Sequence, residues 1–534
     1  MRKFISLAII LTISSALHLR ADLNNPITRA VLDVYSQQLK ETPEDYHIWL
    51  NRANEYYRNN EYMRALNDVN NAIKFCPTKE IPDRIMALML RANIYIQTDR
   101  PQEALADLDM VLSLDNQHYV ALYQHANTNY TLGNYTLAKA DYQRLLRLNP
   151  RSPEGLVGMA RVAVKENNLG LANEYLDQAL NNDQGNSELY VRRASVRRDM
   201  GNDQGAVDDL IMALAVDSRN NRAILMLVDY GKVNYPAVMA GLTNAMTQAP
   251  AVSMYPYIRA VIAQHHYHYK AALGDYRMII DKKLENYQGI WRSMAECRYA
   301  LGQFDKALED VDHALALDPN AGEAVLLRAA ILRALGRLDE AKALAAQAVI
   351  LLPGKVAPLN EMGLVYVSLK NYSEAAGLFA EATMLAGATT EAPRSLLLRA
   401  WMLGTYLNQP VAAKGFYEKI ADIATEYPDN KEMQIYAQFG RCYAGLQTEA
   451  TAEIDRMAVE NVDSPYLQYL CACFYAQTGN FDAALKCTEN SLKSGYANYY
   501  DWMYCDDARV NVAPLRDDLR FLNLLEQYKH LWTD

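Results

Sequence analysis

Alanine returns in this chain at a fixed interval. Ala104, Ala138, Ala172 and Ala206 stand 34 residues apart, and Ala307, Ala341 and Ala375 keep the same spacing. Three residues before many of these alanines lies a ring or a leucine, as in Tyr62 to Ala65, Tyr135 to Ala138, Leu169 to Ala172, Phe304 to Ala307, Tyr372 to Ala375 and Phe481 to Ala484. The intervals from Ala206 to Ala272 (66) and from Ala412 to Ala484 (72) each hold two units. Those from Ala65 to Ala104 (39) and Ala375 to Ala412 (37) hold one lengthened unit. About thirteen units therefore lie between Asp45 and Asn498. One such unit cannot bury its own apolar face, so the period demands a stack of neighbours with capped ends.

Within a unit the pattern is helical. Trp49, Ala53 and Tyr56 fall at i, i+4 and i+7 on one helix face. Asn59-Asn60-Glu61 reads as a turn, and Tyr62, Ala65, Val69 and Ala72 mark a second apolar face that Pro77 ends. Each unit is thus expected to be a helical hairpin. Alanine stands where two helices approach closely, and tyrosine fills wider gaps with a ring whose hydroxyl reaches water.

In register, Trp49, Ala53, Tyr56, Ala65, Ala72 and Pro77 resemble the tetratricopeptide repeat signature at its positions 4, 8, 11, 20, 27 and 32. Trp291, Ala295, Gly302, Phe304, Ala307, Ala314 and Pro319 are similar to it as well. The resemblance implies an all-α, right-handed superhelical solenoid of about thirteen hairpins with a C-terminal capping segment. The expected division is a signal peptide at 1–21, a lead-in at 22–45, a first array at 46–220 and a degenerate repeat at 221–252. A second array follows at 253–389, then irregular repeats at 390–464, a last repeat at 465–498 and a cap at 499–534. The cap ends in an amphipathic helix, and in this family such a segment covers the apolar end of the stack.

A charge pattern runs through the repeats. Arginine precedes the alanine of the first helix, and sixteen residues later stands an aspartate: Arg52 and Asp68, Arg91 and Asp107, Arg193 and Asp209, Arg259 and Asp275. His125 has Asp141 at the same spacing. In an antiparallel hairpin the two positions face each other, so these are expected to be structural pairs in which each charge satisfies the other. Asp310 and Arg328 lack such partners and are expected to pair across adjacent units. Cys471 and Cys487 share the spacing and form a candidate disulfide in an oxidising compartment. The other five cysteines show no zinc spacing.

Function is constrained mainly by exclusion. Arg2 and Lys3, then an apolar stretch from Phe4 to Leu17 and Ala21 before Asp22, read as a secretory signal peptide. No cysteine follows closely to serve as a lipoprotein site, and membrane insertion is not expected after the signal is removed. The net charge of −10 argues against nucleic acid as a partner. No phosphate-cradling glycine loop, HExxH, GxSxG or paired metal motif occurs, so neither an enzyme nor a cofactor is expected. His265, His266 and His268 form a cluster with no carboxylate or cysteine to complete a metal site.

The family resemblance implies binding along the concave face, through positions 2, 5, 9, 12 and 13 of each first helix. There Asn54, Asn93 and Asn127 form a ladder able to pair with an extended peptide backbone. Arg161, Lys165, Arg192 and Arg198 add a positive end for an acidic segment, and Tyr57, Tyr123 and Tyr130 add flat apolar contacts. The expected function is a protein- or peptide-binding scaffold exported to the periplasm or cell envelope. A glycan-binding surface protein of a nutrient-capture system is the alternative, and an enzyme with an unrecognised site ranks below both. Tyr outnumbers Phe 37 to 9, an excess assigned mainly to repeat packing, at positions such as Tyr56, Tyr142 and Tyr372.

Overall fold

The computed structural model describes residues 26–283, 289–506 and 508–533, so the signal-peptide segment lies outside the described residues. Among the described residues there are 29 α-helices and no strand. The lead-in forms the helix Pro26–Glu41, and between Tyr46 and Lys493 the helices pair into thirteen consecutive hairpins. The all-helical repeat fold expected from the 34-residue period is the fold observed. Contacts divide the chain into two compact units, one ending at Asn220 and the other beginning at Asn221.

The hairpins form for local reasons. Ala53, Ala65 and Ala72 are fully buried, as are Ala126 and Ala138, because a methyl group is all the space between the paired helices admits. Asp45, Ser152, Asn168, Asn186 and Asn202 each accept a backbone N–H at a helix start and so satisfy part of its unpaired first turn. In twelve of the thirteen hairpins the turn has a left-handed residue two places before the second helix. Asn60, Asp99, Gly133, Asn167, Gly201, Gly302, Gly336, Asn408, Gly445 and Gly479 occupy this slot, residue types that tolerate positive φ. Tyr267 and Lys370 occupy it against that preference.

In residues 26–220 the arginines act as staples. Arg52 donates to both carboxylate oxygens of Asp68 at 2.6 and 2.9 Å, Arg91 to Asp107 at 2.8 and 2.6 Å, and Arg193 to Asp209 at 2.9 and 2.6 Å. His125 Nδ1 lies 2.6 Å from Asp141. The remaining guanidinium nitrogen turns to the element before: Arg52 to Ser36 of the lead-in helix, and Arg91 to Asn70 and Arg193 to Asp177 of the preceding hairpins. One side chain thus ties the two helices of its own hairpin and the helix just before them.

The second unit opens with the same device, Arg259 on Asp275 at 2.8 and 2.5 Å with its third nitrogen on Thr243, and then departs from it. Asp310 and Arg328 do not pair with each other, contrary to the expectation from spacing. Asp310 takes Arg298 of its own hairpin at 2.8 Å, while Arg328 reaches back to Asp312 at 2.7 Å. Two residues along a helix turn a side chain through more than half a revolution, so Asp312 and not Asp310 faces the next unit. Arg399 has no carboxylate opposite and lies over the Phe416 ring at 4.0 Å. The Cys471–Cys487 bridge is not formed: both are free, buried thiols. Paired helix axes lie about 8–10 Å apart, which leaves bridging geometry tight, and burial pushes the Cys487 thiol up to about 12.

The stretches 221–252 and 390–464 hold helical hairpins too, beginning with Asn221–Val233 and Tyr235–Gln248. A turn of π-helix, Met402–Tyr406, extends the first helix near residue 400, while the lengthened period arises before it, since Ala375 to Ala400 is 25 residues against 22 from Ala307 to Ala329. The C-terminal segment does more than cover the last hairpin. Trp502 and Phe521 are fully buried against that hairpin, yet Tyr500 packs on Tyr299 at 4.5 Å, Tyr504 on Phe304 at 5.0 Å and Tyr496 on Tyr267 at 4.7 Å. Lys270 Nζ donates to the carbonyls of His530 and Thr533. Gly302 and Gly495 stand at this seam with positive φ, where a Cβ would meet the Tyr499 ring at 3.0 Å and the His268 ring at 2.9 Å. The second unit is therefore closed on itself, and one hydrophobic core runs from Ala260 to Trp532.

Candidate functional site

Closure of the second unit encloses a cavity of about 790 Å³. First helices of successive hairpins line it: Leu326, Ala330 and Arg333, then Ala357, Asn360 and Glu361, then Arg394 and Leu397, then Glu432 and Tyr436, then Tyr466 and Tyr469. The C-terminal segment supplies Tyr496, Tyr500 and Asp501. A volume of this size suits a compact ligand or a short run of chain and not a folded domain. Seven tyrosines, Tyr267, Tyr299, Tyr436, Tyr466, Tyr469, Tyr496 and Tyr500, form much of the wall. The tyrosine excess is therefore not only a packing feature.

These rings support one another. Tyr466 stacks on Tyr469 at 6.1 Å and on Tyr267 at 6.2 Å, and Tyr469 stacks on Tyr496 at 5.0 Å. Tyr267 holds φ at +64° in the turn slot that glycine or asparagine fills elsewhere. A bulky residue is strained there, and the backbone bears it where the ring joins the cavity wall.

Polar groups are placed among the rings. Arg333 and Glu361 form an ion pair at 2.7 Å, and the Asn360 amide donates to Ser395 Oγ at 3.0 Å beneath the wall. Asp501 accepts from the Tyr496 hydroxyl and from Asn498 at 2.8 Å. Glu432 accepts from the Tyr466 hydroxyl at 3.5 Å, which in turn hydrogen-bonds Tyr436. Burial raises the Glu432 carboxyl above its usual range, against the opposite pull of that hydroxyl. Burial, then the negative charges of Glu432 and Asp501, push the Tyr267 phenol up to about 12; burial and Glu432 do the same for Tyr436.

The tetratricopeptide repeat sequence profile matches residues 50–118, 123–188 and 294–356. Those three stretches carry tetratricopeptide repeats. Outer dynein arm-docking complex subunit 4 of Xenopus laevis is 24% identical over 105 residues, 20% of this chain and 19% of that protein. Serine/threonine-protein phosphatase 5 of Homo sapiens is 26% identical over 105 residues, 19% of this chain and 20% of that protein. The match thus spans about a fifth of the length of these curated relatives. Among solved structures, yeast Tom70 is similar at 18% identity, covering 74% of this chain and 96% of that one with a TM-score of 0.34. YrrB, described as a TPR protein with an unusual peptide-binding site, is 19% identical, covering 36% and 98% with a TM-score of 0.30. PilW, a type IV pilus biogenesis factor, is 19% identical, covering 38% and 99% with a TM-score of 0.32.

In the first unit's repeats, most of the side chains read as a groove have partners within the chain. Asn54 donates to the Leu50 carbonyl at 3.0 Å, and Asn93 accepts from Gln124 at 2.7 Å. The Asn127 oxygen accepts from the Tyr142 hydroxyl at 2.7 Å and from Arg161 at 2.9 Å, and Arg161 also lies 4.0 Å over Tyr130. Tyr123 packs in the same cluster, while Tyr57 packs against Tyr62 at 5.9 Å. Arg192 pairs with Glu188 at 3.0 Å and Arg198 with Asp199 at 3.2 Å; Lys165 is exposed. Asn127, Tyr130 and Arg161 are thus brought together, and the rest are distributed along the helices.

The same register applied to residues 322–470 reaches the cavity. With Ala329 at position 8, Leu326, Ala330 and Arg333 take positions 5, 9 and 12, and with Ala472 there, Tyr466 and Tyr469 take 2 and 5. The sequence signal lay in that register and in a tyrosine at a glycine slot. Neither shows that the unit closes. His265, His266 and His268 sit where one helix ends and the next begins, with His266 Nε2 2.8 Å from the Gly231 carbonyl and the rings of His266 and His268 against Tyr235. Among the described residues no group of three or more His, Cys, Asp or Glu is placed to hold a metal ion, and no helix is long and apolar enough to cross a membrane.

Proposed function

We propose that the protein is a non-enzymatic scaffold that captures a short extended segment of a protein partner in the tyrosine-lined cavity of its second unit. The observation that carries this reading is a cavity of about 790 Å³ walled by first helices of successive tetratricopeptide repeats, a size for a few residues of chain. Aromatic faces, an ion pair and amide groups around it suit a peptide, which is alternately apolar and hydrogen-bonding. Most of the first unit's polar groups at the register positions already have partners within the chain, so the binding role is assigned to the second. Export to the periplasm or cell envelope belongs to the same proposal, supported by the basic start and apolar stretch of residues 2–17. Sequencing the N-terminus of protein recovered from fractionated cells tests it; an intact Met1 start rejects it.

Photo-crosslinkers at Ala357 and Thr390, exposed residues beside the cavity, test the binding role in intact cells, with the outward Met384 as control. Partner peptides joined through the first two positions and not the third are expected. Equal labelling from Met384 rejects the assignment. The tyrosine wall also favours a second reading, glycan binding, since sugar faces stack on rings; retention on polysaccharide gels that is lost in Tyr469→Ala selects it.

A further inference from the structure

The cavity's charged lining is unevenly satisfied. Arg333 is taken by Glu361 at 2.7 Å, and Lys355, Glu391 and Arg394 are exposed. Glu432 stands apart: among the described residues no Lys, Arg or His pairs with it, and its hydrogen bond comes from the Tyr466 hydroxyl. Four rings converge beside it, with Tyr267 stacked on Tyr466 at 6.2 Å and edge-on to Tyr496 at 4.7 Å, and Tyr436 hydrogen-bonded to Tyr466. Asp501, held by Tyr496 and Asn498, brings a second carboxylate to the same tyrosine cluster.

Two carboxylates among tyrosine rings make a negative corner, opposed by the Arg394 guanidinium, whose charge is felt at Tyr436. The ring quadrupole presents negative charge from its face, so rings and carboxylates act in the same sense. An anion there is repelled and an uncharged group leaves the carboxylate desolvated. A cation neutralises it and gains the ring faces as well. We infer that this corner, formed by Glu432, Asp501, Tyr267, Tyr436, Tyr466 and Tyr496, takes the cationic side chain of a lysine or arginine in the bound peptide. The inference rests on the peptide-binding reading and specifies which residue the peptide must present. The strained Tyr267 has its reason here, since asparagine in that turn removes the strain but also the ring that closes the corner.

The test uses the full chain and three blocked amino acids of similar bulk: the N-acetyl methylamides of lysine, arginine and norleucine, titrated by calorimetry. The two basic probes are expected to bind about tenfold more tightly than the uncharged norleucine. Glu432→Gln is expected to erase that preference. Tyr267→Asn is expected to weaken the basic probes by about tenfold while the melting temperature holds or rises, which separates loss of the site from loss of the fold. Norleucine binding as tightly as lysine, unaltered lysine binding in Glu432→Gln, or no binding of any probe at millimolar concentration overturns the inference. The peptide-capture reading fails on a different result, the absence of cavity-specific crosslinks at Ala357 and Thr390.

Discussion

The two units share one repeat and use it differently. Between residues 26 and 220 the hairpins are tied by charge, each arginine clamping an aspartate of its own hairpin and a polar group of the helix before. Apolar residues there form separate local clusters, such as those around Leu50 and Ala65 and around Leu122 and Tyr142. Between residues 221 and 533 the staples give way to rings and thiols, and one core joins the start of the unit to its end. A charge ladder with nearest-neighbour bonds can be extended indefinitely, and no member depends on a distant one. A core that joins the two ends is cooperative and encloses space. The repeat specifies the hairpin, while the side chains on its inner face determine whether the stack holds itself open or shut.

The largest expected effect comes from breaking the closure. Trp502 is fully buried against Tyr469 and Tyr496, and its carbonyl accepts from Arg516 at 3.1 Å. Trp502→Ala should cost about 3–5 kcal/mol. In urea with hydrogen exchange read by mass spectrometry, protection should fall throughout residues 254–304 and 465–533 and hold in residues 46–216. Loss confined to the last hairpin would show that the closure is not cooperative.

Arg91→Ala tests the other mode. It leaves Asp107 buried without its partner and should cost about 3–5 kcal/mol, much of it as exposed backbone in the hairpin 81–114 and its predecessor only. The combined change Arg91→Met with Asp107→Leu should recover most of that loss, because no charge is then stranded. Removing Asn54, Asn93 and Arg161 together should likewise lower the melting temperature and leave crosslinking at Ala357 intact.

Smaller effects follow from protons. Burial alone lowers the His125 pKa, but the hydrogen bond and charge of Asp141 outweigh it, and the net shift is upward. A histidine raised in the folded state contributes stability below pH about 6.5, its unfolded value, and that contribution is lost as pH rises through the folded value. His125→Arg, which restores the residue type used in neighbouring hairpins, should remove this slope from a plot of melting temperature against pH.

Asp310 has the same sign in a lower pH window. Burial raises it to about 6 although Arg298 stands 2.8 Å away, and its Oδ2 is buried without a hydrogen-bond partner. An acid raised on folding loses stability as pH climbs from about 4, near its unfolded value, to about 6, and is level above that. Asp310→Asn should flatten that window and change stability at pH 7 least of all these variants.

Much of this was legible in the residues. The alanine spacing located thirteen hairpins, and the sixteen-residue interval located Arg52–Asp68, Arg91–Asp107, Arg193–Asp209 and Arg259–Asp275, because both depend on groups within one hairpin. It was not legible that Arg328 would turn to Asp312, that Asn127 would be filled by Tyr142 and Arg161, or that Cys471 and Cys487 would remain thiols. Each of these depends on which face a helix shows its neighbour, where a few tens of degrees decide the partner.

The sequence by itself determined the unit, its length, its helical hairpin and the local bonds that hold it, since the forces responsible act within about forty residues and repeat with the chain. Only the tertiary structure decided that Tyr267 meets Tyr496 and Tyr299 meets Tyr500, and hence that a cavity exists. Those pairs come from opposite ends of the second unit. Their meeting is set by small rotations accumulated across every intervening repeat, which no periodic pattern records.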